Sequence, residues 1–360
     1  MSLALPSTRE EAWRWSDLSG LAALTDGSAS GRLDASAVPW IGCGGPRLLF
    51  LDGKLDLVAS EPGTLAIGPV DAATTHPLGR RATGDGWSLA LGSGQAPPAT
   101  IEIVHVATGG ANHLPARIEL AEDAQASIVE TFVGDGWANR LTRIVLGRSA
   151  RLMRSVRLLQ ASGFTSLRDE AEVADGASLV TVVLGAGGSG TRIDGRITLA
   201  GTGAYGEYGG ALLARGDQRH DAALVLRHEA ENGTSRQLWR AVADDKAAAS
   251  IAARVEVARG AQKTDGEQSL RGLLLKRTAT VNLKPELEIF ADDVKCAHGA
   301  TVGELSAQAL YYMQSRGIPP VQARALLTRA FVADAIDRIG EEAVRDAFHA
   351  DAEAWLENAA

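Results

Sequence analysis

The sequence predicts a mainly β fold, a right-handed parallel β-helix with helical segments at its two ends, and three observations predict it. A small-residue corner recurs about every 27 residues through the middle of the chain. Short runs of alternating apolar and polar residues lead into those corners. After Gly303 the alternation gives way to helical spacing.

Most of the corners end in Ala plus one further residue, as in Glu122-Asp123-Ala124-Gln125, Arg148-Ser149-Ala150-Arg151 and Asp175-Gly176-Ala177-Ser178. The Ala positions are 96, 124, 150, 177, 204 and 261, at spacings of 28, 26, 27, 27 and 57. The last spacing is about two periods, and the missing corner falls near Glu231-Asn232-Gly233-Thr234. Gly and Asp supply the backbone angles that a sharp turn needs. The runs before the corners, Ile118-Glu119-Leu120, Ile144-Val145-Leu146, Ile197-Thr198-Leu199 and Val255-Glu256-Val257, alternate as strands with one buried face do. A strand-and-turn repeat of this length is close to one coil of a solenoid, and a coil buries its apolar face only by stacking on another. A β-sandwich with evenly spaced hairpins is the competing architecture. Composition suits thin strands and tight corners: 45% of residues are apolar, 5% are aromatic, and there are 40 glycines.

The two ends read differently. Glu10 to Ser19, with Trp13 and Trp15, reads as a short helix with aromatic anchors. At the other end a first helix is expected from about Glu304 to Ser315. It is broken at Arg316-Gly317-Ile318-Pro319-Pro320, where Gly stops one helix and Pro starts the next. The second helix carries Val321, Ala325, Leu326, Ala330, Phe331, Ala335, Ile336 and Ile339 as an apolar stripe. A third is expected from about Glu341 to Leu356. These helices either cap the open end of the solenoid or dock a partner. The expected organisation is therefore an N-terminal mixed segment at 1–60, a β-helix core at 61–303 and a helical domain at 304–360.

The formal net charge of −8 argues against a nucleic-acid partner, since proteins that track phosphate backbones are usually basic. The start of the chain lacks a basic run followed by a long apolar one, and no stretch approaches 18 uninterrupted apolar residues. We therefore expect neither a signal peptide nor a membrane span, and a reduced cytoplasmic setting. Two cysteines, Cys43 and Cys296, are no disulfide framework and can persist there as free thiols.

The densest run of reactive residues is Asp292-Asp293-Val294-Lys295-Cys296-Ala297-His298-Gly299-Ala300-Thr301, where the β repeat ends and the helices begin. If it is extended, Cys296 and His298 share a face, because i and i+2 point to one side of a strand. A thiolate and an imidazole together are soft ligands suited to iron or zinc. Structural zinc and iron–sulfur clusters take about four protein ligands, however. Two readings stay open: a half-site completed by another chain, or a buried thiol and a hydrogen-bonded imidazole with no chemistry. Asp292, Asp293 and Lys295 also suggest the acidic clusters of β-helix carbohydrate lyases and hydrolases, but adjacent aspartates on a strand point to opposite sides. Cys43 lies in a loop-like stretch and reads as structural. His228 reads as a strand-end histidine without a role on spacing alone. The Gly185–Gly190 run precedes a strand pattern, whereas a nucleotide-binding loop needs a helix behind it.

The stretch from Lys284 to Gly303, with Asp-Asp-Val-Lys-Cys-x-His-Gly-Ala-Thr at its centre, resembles the signature of the SufB/SufD family of iron–sulfur cluster assembly scaffolds. The likeness continues through Tyr311-Tyr312-Met313-Gln314-Ser315-Arg316-Gly317-Ile318. Upstream, His228, Ser235, Gln237, Ala261-Gln262 and Gln268 fit the family's strand pattern. Length and the opening Leu5–Leu18 favour the SufD branch over the longer SufB branch. The likeness departs at Ile251–Arg254, Leu270 and Gly272, which bear on coil packing.

The resemblance implies a non-catalytic scaffold subunit that pairs with a SufB-like subunit through its β-helix and with a SufC-like ABC ATPase through its C-terminal helices. It implies that Cys296 and His298 are transient ligands of iron or a nascent iron–sulfur cluster at the partner interface. It leaves room for reduced FAD in the complex, and no cofactor is expected on the isolated chain. A homodimer in isolation is compatible with it. The competing functions are a β-helix carbohydrate-active enzyme and a stand-alone homodimeric interaction module.

Overall fold

The computed structural model describes residues 5–32 and 38–357. The strands form a β-solenoid of about eight turns. It opens with β1 (Arg47–Leu51), β2 (Lys54–Leu55), β3 (Leu65–Pro69), β4 (Asp85–Leu91) and two long strands, β5 (Ile101–Leu120) and β6 (Gln125–Leu146). β1 runs parallel to the first part of β5 and β4 to its last part, so β5 serves both faces of the solenoid. β6 does the same, pairing first with β7 (Arg151–Leu158) and then with β8 (Phe164–Val173).

From there each coil supplies two strands. They are β9 (Ser178–Gly185) and β10 (Gly190–Leu199), β11 (Tyr205–Ala214) and β12 (Arg219–His228), β13 (Thr234–Ala243) and β14 (Ala248–Val257), β15 (Asp265–Leu274) and β16 (Thr280–Ile289), then β17 (Lys295–Glu304). Even-numbered strands stack in parallel on even, and odd on odd. In the even lane Trp137, Phe164, Gly190, Arg219, Ala248 and Thr280 lie in register, so successive coils step by 27, 26, 29, 29 and 32 residues. The parallel lanes decide against a sandwich of hairpins.

The corners have a common construction. Asp123, Ser149, Gly176, Gly203, Asn232 and Lys263 all have positive φ. The N–H of each donates to a carbonyl of the following coil, as from Asp123 to Arg148 at 2.9 Å and from Lys263 to Asp293 at 2.6 Å. The residue after each turns inward: Ala124, Ala150, Ala177 and Ala204 are fully buried. The column continues with Gly233 and Thr264, so Ala261 is a buried residue three positions ahead of its column. Gly233 replaces Ala because a Cβ there would lie 2.7 Å from Nδ1 of the buried His228.

Inside, leucine, isoleucine, valine and phenylalanine side chains from both lanes form one apolar core along the stack. A buried ionic group interrupts it. Arg154, 0% exposed, donates to Glu130 at 2.7 Å and to Asp169 at 2.6 Å, and Tyr208 donates to Asp169 at 2.6 Å. The Arg154 guanidinium holds the Glu130 carboxyl down at about 2 against the opposing effect of burial.

The N-terminal segment makes a single 3-10 turn at Glu11–Trp13, in place of the short helix that the sequence pattern predicts, followed by α1 (Leu21–Asp26). Trp13 is buried, with the Arg192 guanidinium 4.3 Å above its ring. Ser16 is held between Arg192 and Asp221. At the other end α2 (Ala307–Ser315) is capped by Ser306, α3 (Pro320–Ile336) starts at Pro320, and α4 (Glu342–Glu357) comes last.

The C-terminal helices do not cap the solenoid. Val332, Ile336, Val344, Phe348 and Trp355 pack on Val182, Leu184, Ala211, Leu213 and Val242 of the odd lane's outer face. Arg157 pairs with Asp351 at 2.7 Å, Arg338 with Glu207 at 2.6 Å, and Arg240 with Asp334. The helices are therefore clamped to the flank. Among the described residues β16 pairs only with β14, and β17 only with β15. The final coil keeps its outer strand edges free.

Candidate functional site

The reactive run lies on that final coil. Lys295 opens β17 with its N–H donating to the Thr264 carbonyl at 2.8 Å, which sets the register of the rest of the strand. Cys296 then stands over Gly266, His298 over Gln268 and Ala300 over Leu270. Gly266, Gln268 and Leu270 are buried, whereas Asp265 and Glu267 are not, so Cys296 and His298 occupy the positions that face the solenoid axis. In any earlier coil such positions are covered by the next one. Here, among the described residues, no further coil is stacked on top, and Cys296 is half-buried while His298 is exposed. The site is the open mouth of the stack, with its two donors on one side of one strand. Lys295 alternates to the outside and is exposed.

Cys296 leans on Val255, Val257, Ala261 and Ala291. Burial raises its thiol pKa above the ordinary value, the Gly266 backbone N–H opposes that, and the Asp265 carboxylate adds to it. Its sulfur therefore rests as a thiol, and a soft metal must displace the proton to bind.

Beneath the two donors lies a floor of hydrogen-bonded polar side chains. His228 Nε2 and Ser235 Oγ are 2.8 Å apart and both residues are fully buried. A Cβ built on Gly266 would lie 3.4 Å from Cys296 Sγ and 3.5 Å from Ser235 Oγ, so Gly266 separates the thiol from this pair by little more than one carbon. Under His298, Gln268 Nε2 donates to Gln237 Oε1 at 2.5 Å and to the Ala253 carbonyl at 2.8 Å. Gln237 Nε2 donates in turn to the Arg254 carbonyl at 3.3 Å. Deeper in the same odd-lane column, Arg154 stands in register with Thr181, and Thr181 with Tyr208. A file of polar groups thus leads through the apolar core to His298.

Sequence reasoning names Cys296 and His298, and the structure brings them to one face. For Ser235, Gln237 and Gln268 it yields only a match to a strand pattern. Their place under the site is legible in the intervals from Gln237 to Gln268 to His298, which equal the coil steps of the odd lane. Asp292 and Asp293 are exposed on the turn before β17 and do not face each other across a cleft. Cys43 belongs elsewhere: it packs in the cluster under α3 and α4, in a loop where the N–H groups of Ile41, Gly42 and Cys43 all donate to Glu102. Burial, and then the Glu102 carboxylate, push its thiol up to about 11. Among the described residues no three His, Cys, Asp or Glu side chains are grouped to hold a metal ion. A sulfur and an imidazole nitrogen form the donor pair that iron accepts, but they fill half of a usual coordination shell. Among the described residues no helix is long and apolar enough to cross a membrane.

Residues 104–331 match the family model described as SUF system FeS cluster assembly, SufBD core domain. The iron–sulfur cluster assembly protein SufD of Escherichia coli is 27% identical over 95% of this chain and 87% of its own length. A SufBD family iron–sulfur cluster assembly protein of Mycobacterium tuberculosis is 28% identical over 98% of this chain and 90% of its own. The chloroplastic protein ABCI7 of Arabidopsis thaliana is 33% identical over 62% of this chain and 49% of its own.

Proposed function

The chain belongs to the SufBD core family of the iron–sulfur cluster assembly system, and on that premise we propose that it is a SufD-type scaffold subunit, non-catalytic by itself, whose open solenoid mouth is one half of a cluster-building site. The observation that carries this reading is the placement of Cys296 and His298. They are axis-facing residues of the last coil, on a strand with a free edge, with too few companions to hold a metal alone. A SufB-like subunit seated on the free edges of β16 and β17 would supply the missing donors. Cys296 contributes a thiolate and His298 an imidazole to iron or a nascent cluster, which is cargo and not a resident cofactor.

The C-terminal helices suit the second partner, a SufC-like ABC ATPase. Tyr311 and Tyr312 on α2 and Val321 on α3 are large apolar side chains left exposed, at 75%, 59% and 63%. Because α3 and α4 are clamped to the odd lane by ion pairs, force applied to them is delivered to the stack that carries β15 and β17. Reduced FAD is assigned to the complex, with no residue of this chain given to it. In isolation two copies can share the mouth surface as a homodimer.

The test is reconstitution of the complete complex with Cys296→Ala, His298→Ala or the pair replaced. Cluster yield should fall while complex assembly is retained, and the isolated wild-type chain should bind no stable cluster. Normal yield from the double variant would remove the ligand role.

A further inference from the structure

The amide of Gln268 has one polar atom without a partner, and its place in the fold says what that atom is for. Gln268 is 1% exposed. Its Nε2 is committed twice, to Gln237 Oε1 at 2.5 Å on the preceding coil and to the Ala253 carbonyl at 2.8 Å in the facing lane. The Ala253 oxygen can only accept, so the orientation of the amide is determined by its bonds. Its Oε1, buried, has no hydrogen-bond partner among the described residues.

Gln237 and Gln268 are consecutive rungs of an in-register amide ladder. In such a ladder each side-chain amide donates to one neighbour and accepts from the other. Gln268 donates backward, toward Gln237, so its vacant acceptor faces forward. The forward rung in register is position 298. There the chain carries no third glutamine; it carries an imidazole, whose ring N–H is the donor that the ladder lacks. The ring is exposed.

We propose that Gln268 is the positioning residue of His298: its Oε1 accepts the proton of one ring nitrogen, and the other nitrogen, with its lone pair, is held pointing out of the mouth toward the incoming metal. A ligating histidine whose second nitrogen is hydrogen-bonded has its tautomer and ring plane settled before the metal arrives, and loss of such a support commonly costs 10–100-fold in metal affinity. A buried acceptor is also costly to leave unpaired, which favours the same arrangement. Gln237 and the Ala253 carbonyl serve one step further back, by holding the Gln268 amide the right way round. The importance of the bond for assembly rests on the ligand role proposed for His298; the bond itself does not.

The experiment is a long-range proton–nitrogen correlation on the full chain labelled with nitrogen-15 histidine, with the His298 signals assigned by their loss in His298→Gln. In the wild type one tautomer should dominate, with its N–H protected from fast exchange. Gln268→Met, of similar length without an acceptor, should give averaged tautomers and fast exchange. A freely averaging imidazole in the wild type, or unchanged His298 shifts in folded Gln268→Met, would overturn the proposal. The wild-type spectrum alone decides if the variants do not fold. No metal or partner is present, so this outcome is separable from the reconstitution test. If both hold, cobalt(II) titrated into the assembled complex should bind 10–100-fold more weakly with Gln268→Met than with wild type.

Discussion

Arg154 shows what one residue does in a solenoid interior. Its guanidinium has lost all contact with water and is held by Glu130 and Asp169, with Tyr208 donating to the same Asp169. Replacing one member of such a group strands the others in an apolar medium. Arg154→Met is therefore expected to cost about 3–5 kcal/mol in a denaturant melt. Replacement of Arg154, Glu130 and Asp169 together by apolar residues should recover much of that loss. His220 makes a pH prediction. It is fully buried, and burial lowers its pKa from 6.5 to about 4. The unfolded chain binds this proton below about pH 6.5 and the folded chain only near pH 4, so stability rises with pH across that window and is lost on acidification. The contribution is about 3 kcal/mol, and His220→Leu should lose correspondingly less stability between pH 6.5 and 4. The neighbouring Asp221, raised to about 6 by burial, acts in the opposite sense in both proteins and cancels from the comparison. Parallel stability curves for the two would contradict the assignment.

Among the elements, the C-terminal helices depend least on the interior and most on contacts with the stack. α4 offers Phe348, fully buried, to the outer face of the odd lane. Phe348→Ala should cost about 3–5 kcal/mol in a cooperative melt. If the helices release separately, hydrogen exchange should show α3 and α4 open while β9 to β15 stay protected. The sequence carries these helices well: Gly317 and Pro320 mark the break, and the apolar stripe marks the second helix. It does not say where they sit. Capping the mouth and docking on the flank both satisfy an apolar stripe; the apolar outer face of the odd lane and the complementary charges Arg157, Glu207 and Arg240, distant in the chain from Asp351, Arg338 and Asp334, decide for the flank. The corners are legible for a local reason, since a positive-φ residue followed by Ala leaves a pattern at each turn. The pattern blurs where the steps lengthen to 29–32 residues, because Gly233 and Thr264 take the Ala position.

Over the whole molecule the stack grows coil by coil toward an end that stays open. Repetition makes the coil legible, but pairing across coils is non-local, and no single stretch of sequence records it. Cys296 and His298 stand out as residue types. That they face along the axis is a consequence of their register on Gly266 and Gln268, and that they are uncovered is a consequence of the stack ending there. A solenoid with a free final coil leaves strand edges open to pairing, and in this chain that open end carries a sulfur, an imidazole and the amide floor beneath them.

The claim that this mouth is where a SufB-like partner seats is tested most directly by peptide-resolved alkylation of Cys296, in the isolated chain and in the assembled complex, with Cys43 as the internal reference. Cys296 should react in the isolated chain and become at least roughly tenfold slower once the partner is bound, as expected for a thiol whose reactivity follows its access. Equal labelling rates for Cys296 in the two states would place the partner elsewhere and contradict the account.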